Sequence, residues 1–290
     1  LFQMRSLALL LGLLATITVA TPTCGQVKMN PVAVSTSFAA NQTGEALIGG
    51  SNAKPGSWPW TVSICKMSGS KCDFKAAGVL IDARWVLTLY SGLEHKSGEK
   101  MSEYRIQAGS TDKSLGSGGQ SRSANNLYAF DSESDKTHKD DIAFIEVDPF
   151  NFDNYVQPIC VANSKLPAMQ QGNYAYFTGW GHPTNGWFET ISEYLQYAKL
   201  YIAGDNYCYD RYSGYNSSAM ICAGGNGGAT TCNYDNGGPL MQKKDGTWYL
   251  YGISVTRDYN GSGCKYATEF INVPFYCGYV KGTTGVDCID

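Results

Sequence analysis

From Leu47 onward the chain is a succession of short apolar runs, each broken by Gly, Ser, Asn or Asp. Trp60-Thr61-Val62-Ser63-Ile64, Trp85-Val86-Leu87-Thr88-Leu89 and Asp141-Ile142-Ala143-Phe144-Ile145-Glu146-Val147 are three of them. Tyr174-Ala175-Tyr176-Phe177-Thr178 and Trp248-Tyr249-Leu250-Tyr251-Gly252-Ile253-Ser254 follow later. Runs this short, rich in β-branched and aromatic residues and separated by turn formers, read as strands of antiparallel sandwiches or barrels. Ser114 to Asn126 is rich in Gly, Ser and Asn and predicts a surface loop. A link near residues 150–165 joins two halves, and no internal repeat is visible.

The N-terminus reads differently. Leu1-Phe2-Gln3 precede Met4 and are set aside as an artefact of translation. Met4-Arg5-Ser6 gives a positive start, Leu7 to Leu14 an apolar core, and Thr18-Val19-Ala20 a small-residue cleavage site. That order predicts a secretory signal peptide over residues 1–20, too short in its apolar part to span a bilayer. Residues 21–46 are polar and irregular and read as a propeptide-like segment. All ten Cys lie beyond the leader, an even set that in an oxidising compartment predicts disulfides. A zinc site is disfavoured, because no C-x-x-C pair occurs and His is scarce. The net charge of −3 with no basic block argues against nucleic acid or anionic membranes as partners. Asn41-Gln42-Thr43, Asn216-Ser217-Ser218 and Asn260-Gly261-Ser262 are glycosylation acceptors, expected in exposed turns.

Cys232-Asn233-Tyr234-Asp235-Asn236-Gly237-Gly238-Pro239-Leu240 resembles the segment around the nucleophile of trypsin-like and chymotrypsin-like serine proteases, written CxGDSGGPL. Leu47-Ile48-Gly49-Gly50 resembles their IVGG start. Ala77-Gly78-Val79-Leu80-Ile81 through Trp85-Val86-Leu87-Thr88 resembles GGSLI…WVLTAAHC, and Asp140-Asp141-Ile142-Ala143 resembles NDIAL. Gln157-Pro158-Ile159-Cys160, Thr178-Gly179-Trp180-Gly181 and Met220-Ile221-Cys222-Ala223-Gly224 extend the match in order along the chain. The resemblance implies an all-β, chymotrypsin-like fold: two six-stranded antiparallel β-barrels, about 47–155 and 160–275, with a short C-terminal helix. The protease-like domain then covers 47–290.

The resemblance also implies three disulfides: Cys24–Cys160, Cys208–Cys222 and Cys232–Cys264. The remaining Cys fall into two pairs close in sequence, Cys65–Cys72 and Cys277–Cys288, although sequence alone permits other pairings. Two bridges common in the family are absent, and both positions of each have changed: Ala76 with Gly92, and Ala175 with Gln242.

Serine protease chemistry needs a hydroxyl, an imidazole to take its proton and a carboxylate to orient the imidazole. The resemblance puts Ser91 at the histidine position and Asn236 at the serine position, so only Asp141 remains of the triad. Neither Ser91 nor Asn236 is a base near neutral pH, and a carboxamide is not an activatable hydroxyl. Asp141 is then expected to be a leftover carboxylate bonded to local amides. His95, His138 and His182 are the only imidazoles; His95 and His138 read as surface residues in charged loops. The oxyanion-hole glycine is replaced by Tyr234. The pocket positions read Thr230 at the floor, Val255-Thr256-Arg257 for the segment that binds substrate backbone, and Thr268 at a wall glycine.

In the family, cleavage frees an amine that pairs with the aspartate before the nucleophile, here Asp235. The residue before Leu47 is Ala46, and no Lys or Arg occurs between Met29 and Ala53. An uncleaved, zymogen-like chain is therefore expected. Taken together, the sequence predicts a secreted, extracellular, inactive homologue that binds a protein partner as decoy, cofactor or modulator of a proteolytic or immune cascade. The alternative is an active endopeptidase with an unusual constellation. No cofactor and no metal is expected, since no calcium loop follows Ala108-Gly109-Ser110.

Overall fold

The computed structural model describes residues 24–29, 50–96, 98–130, 140–167, 169–182, 191–225, 228–256 and 264–290. The apolar runs become strands. A two-residue strand, β1 (Ser51–Asn52), leads into β2 (Thr61–Ser68), β3 (Lys71–Asp82), β4 (Trp85–Leu89), β5 (Tyr104–Ala108), β6 (Gln120–Ala129) and β7 (Ile142–Val147). Strands β2 to β7 close in the order β2-β3-β4-β7-β6-β5. Each neighbouring pair is antiparallel. Closure leaves this sheet without a free edge. Val62, Ile64, Leu80, Val86, Ile106 and Ile145 share its inner face by register, all fully buried. The expected loop from Ser114 to Asn126 is shorter than its composition suggests. Residues from Gln120 onward belong to β6, whose side chains alternate between exposed and partly covered. A strand that lies at the surface can be polar and still be a strand, because its partners β5 and β7 satisfy the backbone.

The second half contains β8 (Cys160–Ala162), β9 (Tyr174–Gly179), β10 (Gln196–Tyr201), β11 (Met220–Ala223), β12 (Pro239–Lys244), β13 (Thr247–Val255), β14 (Thr268–Asn272) and β15 (Cys288–Ile289). Helix α1 (Asp205–Tyr209) lies between β10 and β11, and α2 (Cys277–Thr284) precedes β15. Six of these strands run in the order β10-β9-β12-β13-β14-β11. Their two ends meet at a single antiparallel bridge, Ile202 to Ala223. Ala203 N–H donates to Cys222 O at 2.9 Å and Gly224 N–H to Tyr201 O at 2.7 Å around it. The second barrel thus closes through one bridge rather than a full ladder. β1, although it lies within 47–155, pairs with β10 and so belongs to this second sheet. β8 runs parallel to β13 and β15.

The barrels meet on aromatic rings. Trp58 packs against Trp248 at 5.0 Å between centroids, Tyr176 at 5.8 Å and Tyr197 at 5.9 Å. Trp60 Nε1–H donates to Met241 Sδ at 2.8 Å, and the buried hydroxyls of Thr61 and Thr178 meet at 2.9 Å. Helix α2 docks on the first barrel through Tyr279, 4.9 Å from Phe130 and 5.4 Å from Phe144. Such ring pairs contribute about 0.5–1.5 kcal/mol each beyond their burial.

The ten cysteines form Cys24–Cys160, Cys65–Cys72, Cys208–Cys222, Cys232–Cys264 and Cys277–Cys288. Their Cα separations, 4.8 to 6.0 Å, are ordinary for disulfides. Cys24 is fixed further by its neighbour: Gly25 N–H donates to Pro158 O and Gly25 O accepts from Trp248 N–H. The segment 24–29 is therefore stitched to the second barrel.

Candidate functional site

Asp141 stands immediately before β7, and Ser91 opens a 3-10 turn just after β4. Because β4 and β7 are neighbours, with Leu89 opposite Ile142, the two residues face each other. Asp141 is buried. Its Oδ1 accepts the Ser91 backbone N–H at 2.8 Å, and its Oδ2 accepts the Ser91 hydroxyl. Ser91 is small enough to fold its own hydroxyl back onto the carboxylate. The pair satisfies Asp141 but provides no nitrogen able to take a proton near neutral pH.

Asn236 lies in the tight turn between Cys232 and β12. Gly237, at φ +77°, lies so close to Ala77 that a Cβ there would meet Ala77 O at 2.2 Å, which restricts the position to glycine. The Asn236 backbone O accepts Ala77 N–H at 2.9 Å, a bond between the two barrels. Its side-chain Oδ1 accepts both the backbone N–H and the hydroxyl of Thr256, each at 2.7 Å. The Asn236 Cβ would lie 3.2 Å from a Cβ built on Gly92, so it borders the turn that carries Ser91. Asp141, Ser91 and Asn236 are thus gathered at the seam between the barrels.

Tyr234 keeps a left-handed backbone, φ +70°, despite carrying a side chain. That conformation costs a non-glycine residue about 1–2 kcal/mol. The fold imposes the glycine-like backbone on a residue with a side chain, and the ring goes outward. The ring is 46% exposed and packs 5.3 Å from His182. Together they wall a groove of about 720 Å³ with Lys71, Phe74, Lys113 and Leu115 on the opposite side. Lys113 Nζ donates to Ser192 O at 2.7 Å, and partial burial pulls its pKa down. His95, expected in an exposed loop, is half-buried. It packs on Tyr104 at 5.8 Å and Tyr90 at 6.5 Å, with Nδ1 3.7 Å from Glu99. His138 and Arg257 lie outside the described residues, as do Asn41, Asn260 and the Ala46-Leu47 junction.

The pocket positions hold three interlocked hydroxyls. Thr230 Oγ1–H donates to Tyr266 O at 2.7 Å and approaches Thr268 Oγ1 at 3.3 Å. Thr231 Oγ1–H donates to Thr268 Oγ1 at 2.7 Å. All three are buried. The network joins these three positions, and none of the three side chains carries a charge to attract a cationic group. The sequence singles out Thr230, Thr256 and Thr268 but neither Thr231 nor the bonds from Thr256 to Asn236. Thr231 follows Thr230, so adjacency is the available signal for it.

Asp235 is wholly buried. Its Oδ2 accepts Cys232 N–H at 2.9 Å and its Oδ1 accepts Gly181 N–H at 2.8 Å. A Cβ at Gly179 or Gly181 would meet the carboxylate at 2.1 or 2.4 Å, so both glycines make room for it. Burial pushes the carboxyl up to about 7, against the two amide bonds that pull it down. Among the described residues there is no cluster of three or more His, Cys, Asp or Glu able to hold a metal, and no helix long and apolar enough to cross a membrane.

Comparison with known proteins agrees with this geometry. The family model described as Trypsin matches residues 47–276. Ovochymase of Halocynthia roretzi is 26% identical over 262 residues, which cover 88% of this chain and 16% of that protein. The chain therefore spans a small part of the length of that relative.

Proposed function

The chain belongs to the trypsin family, and from that premise we propose that it is a non-catalytic member that works by binding another protein. The observation that carries this reading is the pairing of Ser91 with Asp141. The family's third catalytic member turns inward to a hydroxyl and an amide, and the position of the attacking oxygen is a carboxamide held by Thr256. A trypsin-like site that lacks both its base and its nucleophile retains little of its rate, since loss of either alone removes most of it. The interlocked hydroxyls of Thr230, Thr231 and Thr268 support the same reading, because the position at the pocket floor carries a neutral side chain bonded to its neighbours.

The disulfides and the N-terminal leader support a secreted, extracellular protein. The scaffold presents loops around a seam and a groove flanked by Tyr234, which suits a decoy, cofactor or modulator within a proteolytic or immune cascade. The lack of Lys or Arg between Met29 and Ala53 supports an uncleaved, zymogen-like chain. The test is to expose the full secreted chain to a fluorophosphonate probe and a broad peptide-substrate library. The expected result is no covalent adduct and no turnover. An adduct on any side chain at the seam, or product exceeding enzyme in amount, restores the endopeptidase reading.

A further inference from the structure

We propose that Asn216 carries an N-linked glycan whose first sugars cover a pocket of mixed apolar and polar lining on the second barrel. The proposal is independent of whether the seam is catalytic. Asn216-Ser217-Ser218 is one of three acceptor triplets and the one that falls among the described residues. Asn216 is exposed, in a turn just ahead of β11. Its backbone O accepts the N–H of Ala219 at 3.0 Å and of Met220 at 2.8 Å, and its Oδ1 accepts Ser218 N–H at 3.0 Å. Asn272 Nδ2–H fixes Ser218 O at 2.9 Å from the other side. Among the described residues nothing bonds Asn216 Nδ2, the atom that takes the sugar.

The second observation is the surface next to this turn. Ser217 and Ser218 rim a pocket of about 340 Å³ whose wall includes Met169, Met220 and Phe275. Phe275 is 56% exposed, the most open large hydrophobic side chain among the described residues. Asn163, Asp205 and Asn272 add polar atoms along the same wall. A hexosamine has one apolar ring face and a fringe of hydroxyls, and this wall offers aromatic and thioether surface beside amide and carboxylate groups. The volume is at the small end of ligand sites, matching one or two sugar units. The pocket shares no lining residue with the groove beside Tyr234.

The chemistry is a glycosyl transfer from a lipid-linked oligosaccharide diphosphate in the secretory lumen. Asn216 Nδ2 bonds to the anomeric carbon as the anomeric C–O bond to the diphosphate breaks. The lipid diphosphate leaves with that electron pair, and the amide gives up one proton.

The test uses the full chain secreted from a eukaryotic host. Enzymatic release of N-glycans in ¹⁸O-water should convert Asn216 to labelled Asp, read by peptide mapping. Ser218→Ala should abolish the label, and since among the described residues no bond involves the Ser218 hydroxyl, folding should be unaffected. Hydroxyl-radical footprinting of the native protein should then show Phe275 and Met169 several-fold more reactive after glycan removal. An unmodified Asn216 in the secreted chain overturns the proposal. So does a glycan at Asn216 with equal reactivity of Phe275 and Met169 before and after its release.

Discussion

Ser91 closes over Asp141: its amide bonds Oδ1 at 2.8 Å and its hydroxyl bonds Oδ2, so one residue occupies both oxygens of the carboxylate. A hydrogen bond to a buried charged group is worth about 1.5–3 kcal/mol. Ser91→Ala removes the hydroxyl and keeps the amide, and should lower stability by about 1–3 kcal/mol, read from the urea midpoint. Unchanged stability means that solvent or another group takes over Oδ2.

Catalysis should not return by a single reversion. Ser91→His supplies a base with nothing to activate, and Asn236→Ser supplies a hydroxyl without a base. Each variant alone should remain unlabelled by a fluorophosphonate probe. The double variant Ser91→His/Asn236→Ser should be labelled slowly, because Asp141 is in place to orient the imidazole but Tyr234 occupies the family's oxyanion glycine. Labelling of either single variant at the rate of the double contradicts the assignment of these two positions.

Asp235 provides a pH signature. Its folded pKa, about 7, lies above the ordinary carboxylate value of 3.8 because burial disfavours the charge. Between those two pH values the native state holds the proton and the unfolded state does not, so stability falls as pH rises through this window. At about 1.4 kcal/mol per pH unit the loss amounts to at most about 4 kcal/mol. Urea denaturation from pH 4 to pH 8 should show the decline, and Asp235→Asn should flatten it. A chain cleaved before Leu47 would present an amine to this carboxylate, lower its pKa and reverse the slope, which makes the same measurement a check on the zymogen-like state.

Much of this arrangement was legible in the chain. Ser91, Asp141 and Asn236 are fixed by local patterns of four to nine residues, each tied to a strand end, so their convergence follows from the order of the strands. The strands themselves follow from short apolar runs between turn formers. What the chain does not display is the side-chain economy between distant segments. Thr256 clasps Asn236 from 20 residues away, and the hydroxyls of Thr230, Thr231 and Thr268 join residues separated by up to 38 positions. His95 sits among charged neighbours in sequence yet packs on Tyr90 and Tyr104 in space. β6 extends into a stretch whose composition suits a loop, because backbone pairing is indifferent to polar side chains on its open face.

The hydroxyl network should resist a simple change of specificity. Thr230→Asp adds a carboxylate where Thr268 and Tyr266 O already fill the space. It should not bind a small aryl amidinium. Thr268→Gly removes the crowding hydroxyl and methyl and also the acceptor of Thr231, lowering stability by about 1–3 kcal/mol. Combining the two should give amidinium binding at least tenfold tighter than either alone, measured by calorimetry. Equal binding by Thr230→Asp alone would show that the pocket is open in solution.

Ala76 and Gly92 can be used to test the register of the first barrel without reference to chemistry. Both replace residues that the family joins by a bridge. A Cβ built on Gly92 would lie 3.4 Å from the Ala76 Cβ, close to the roughly 3.5–4.5 Å that disulfides span. Gly92 does not require a left-handed backbone, so a side chain is sterically possible there, although the Asn236 Cβ at 3.2 Å must yield by a few tenths of an ångström. The double variant Ala76→Cys/Gly92→Cys should therefore oxidise to a sixth disulfide during secretion. A bridge closing a loop of this length contributes about 3 kcal/mol at most, and less if Asn236 is strained. Peptide mapping without reduction identifies the bridge, and the rise in thermal midpoint measures its worth. Two free thiols in a natively folded variant would mean that β3 and the turn carrying Ser91 are not opposed as described, and would remove the geometric basis for placing Ser91 beside Asp141.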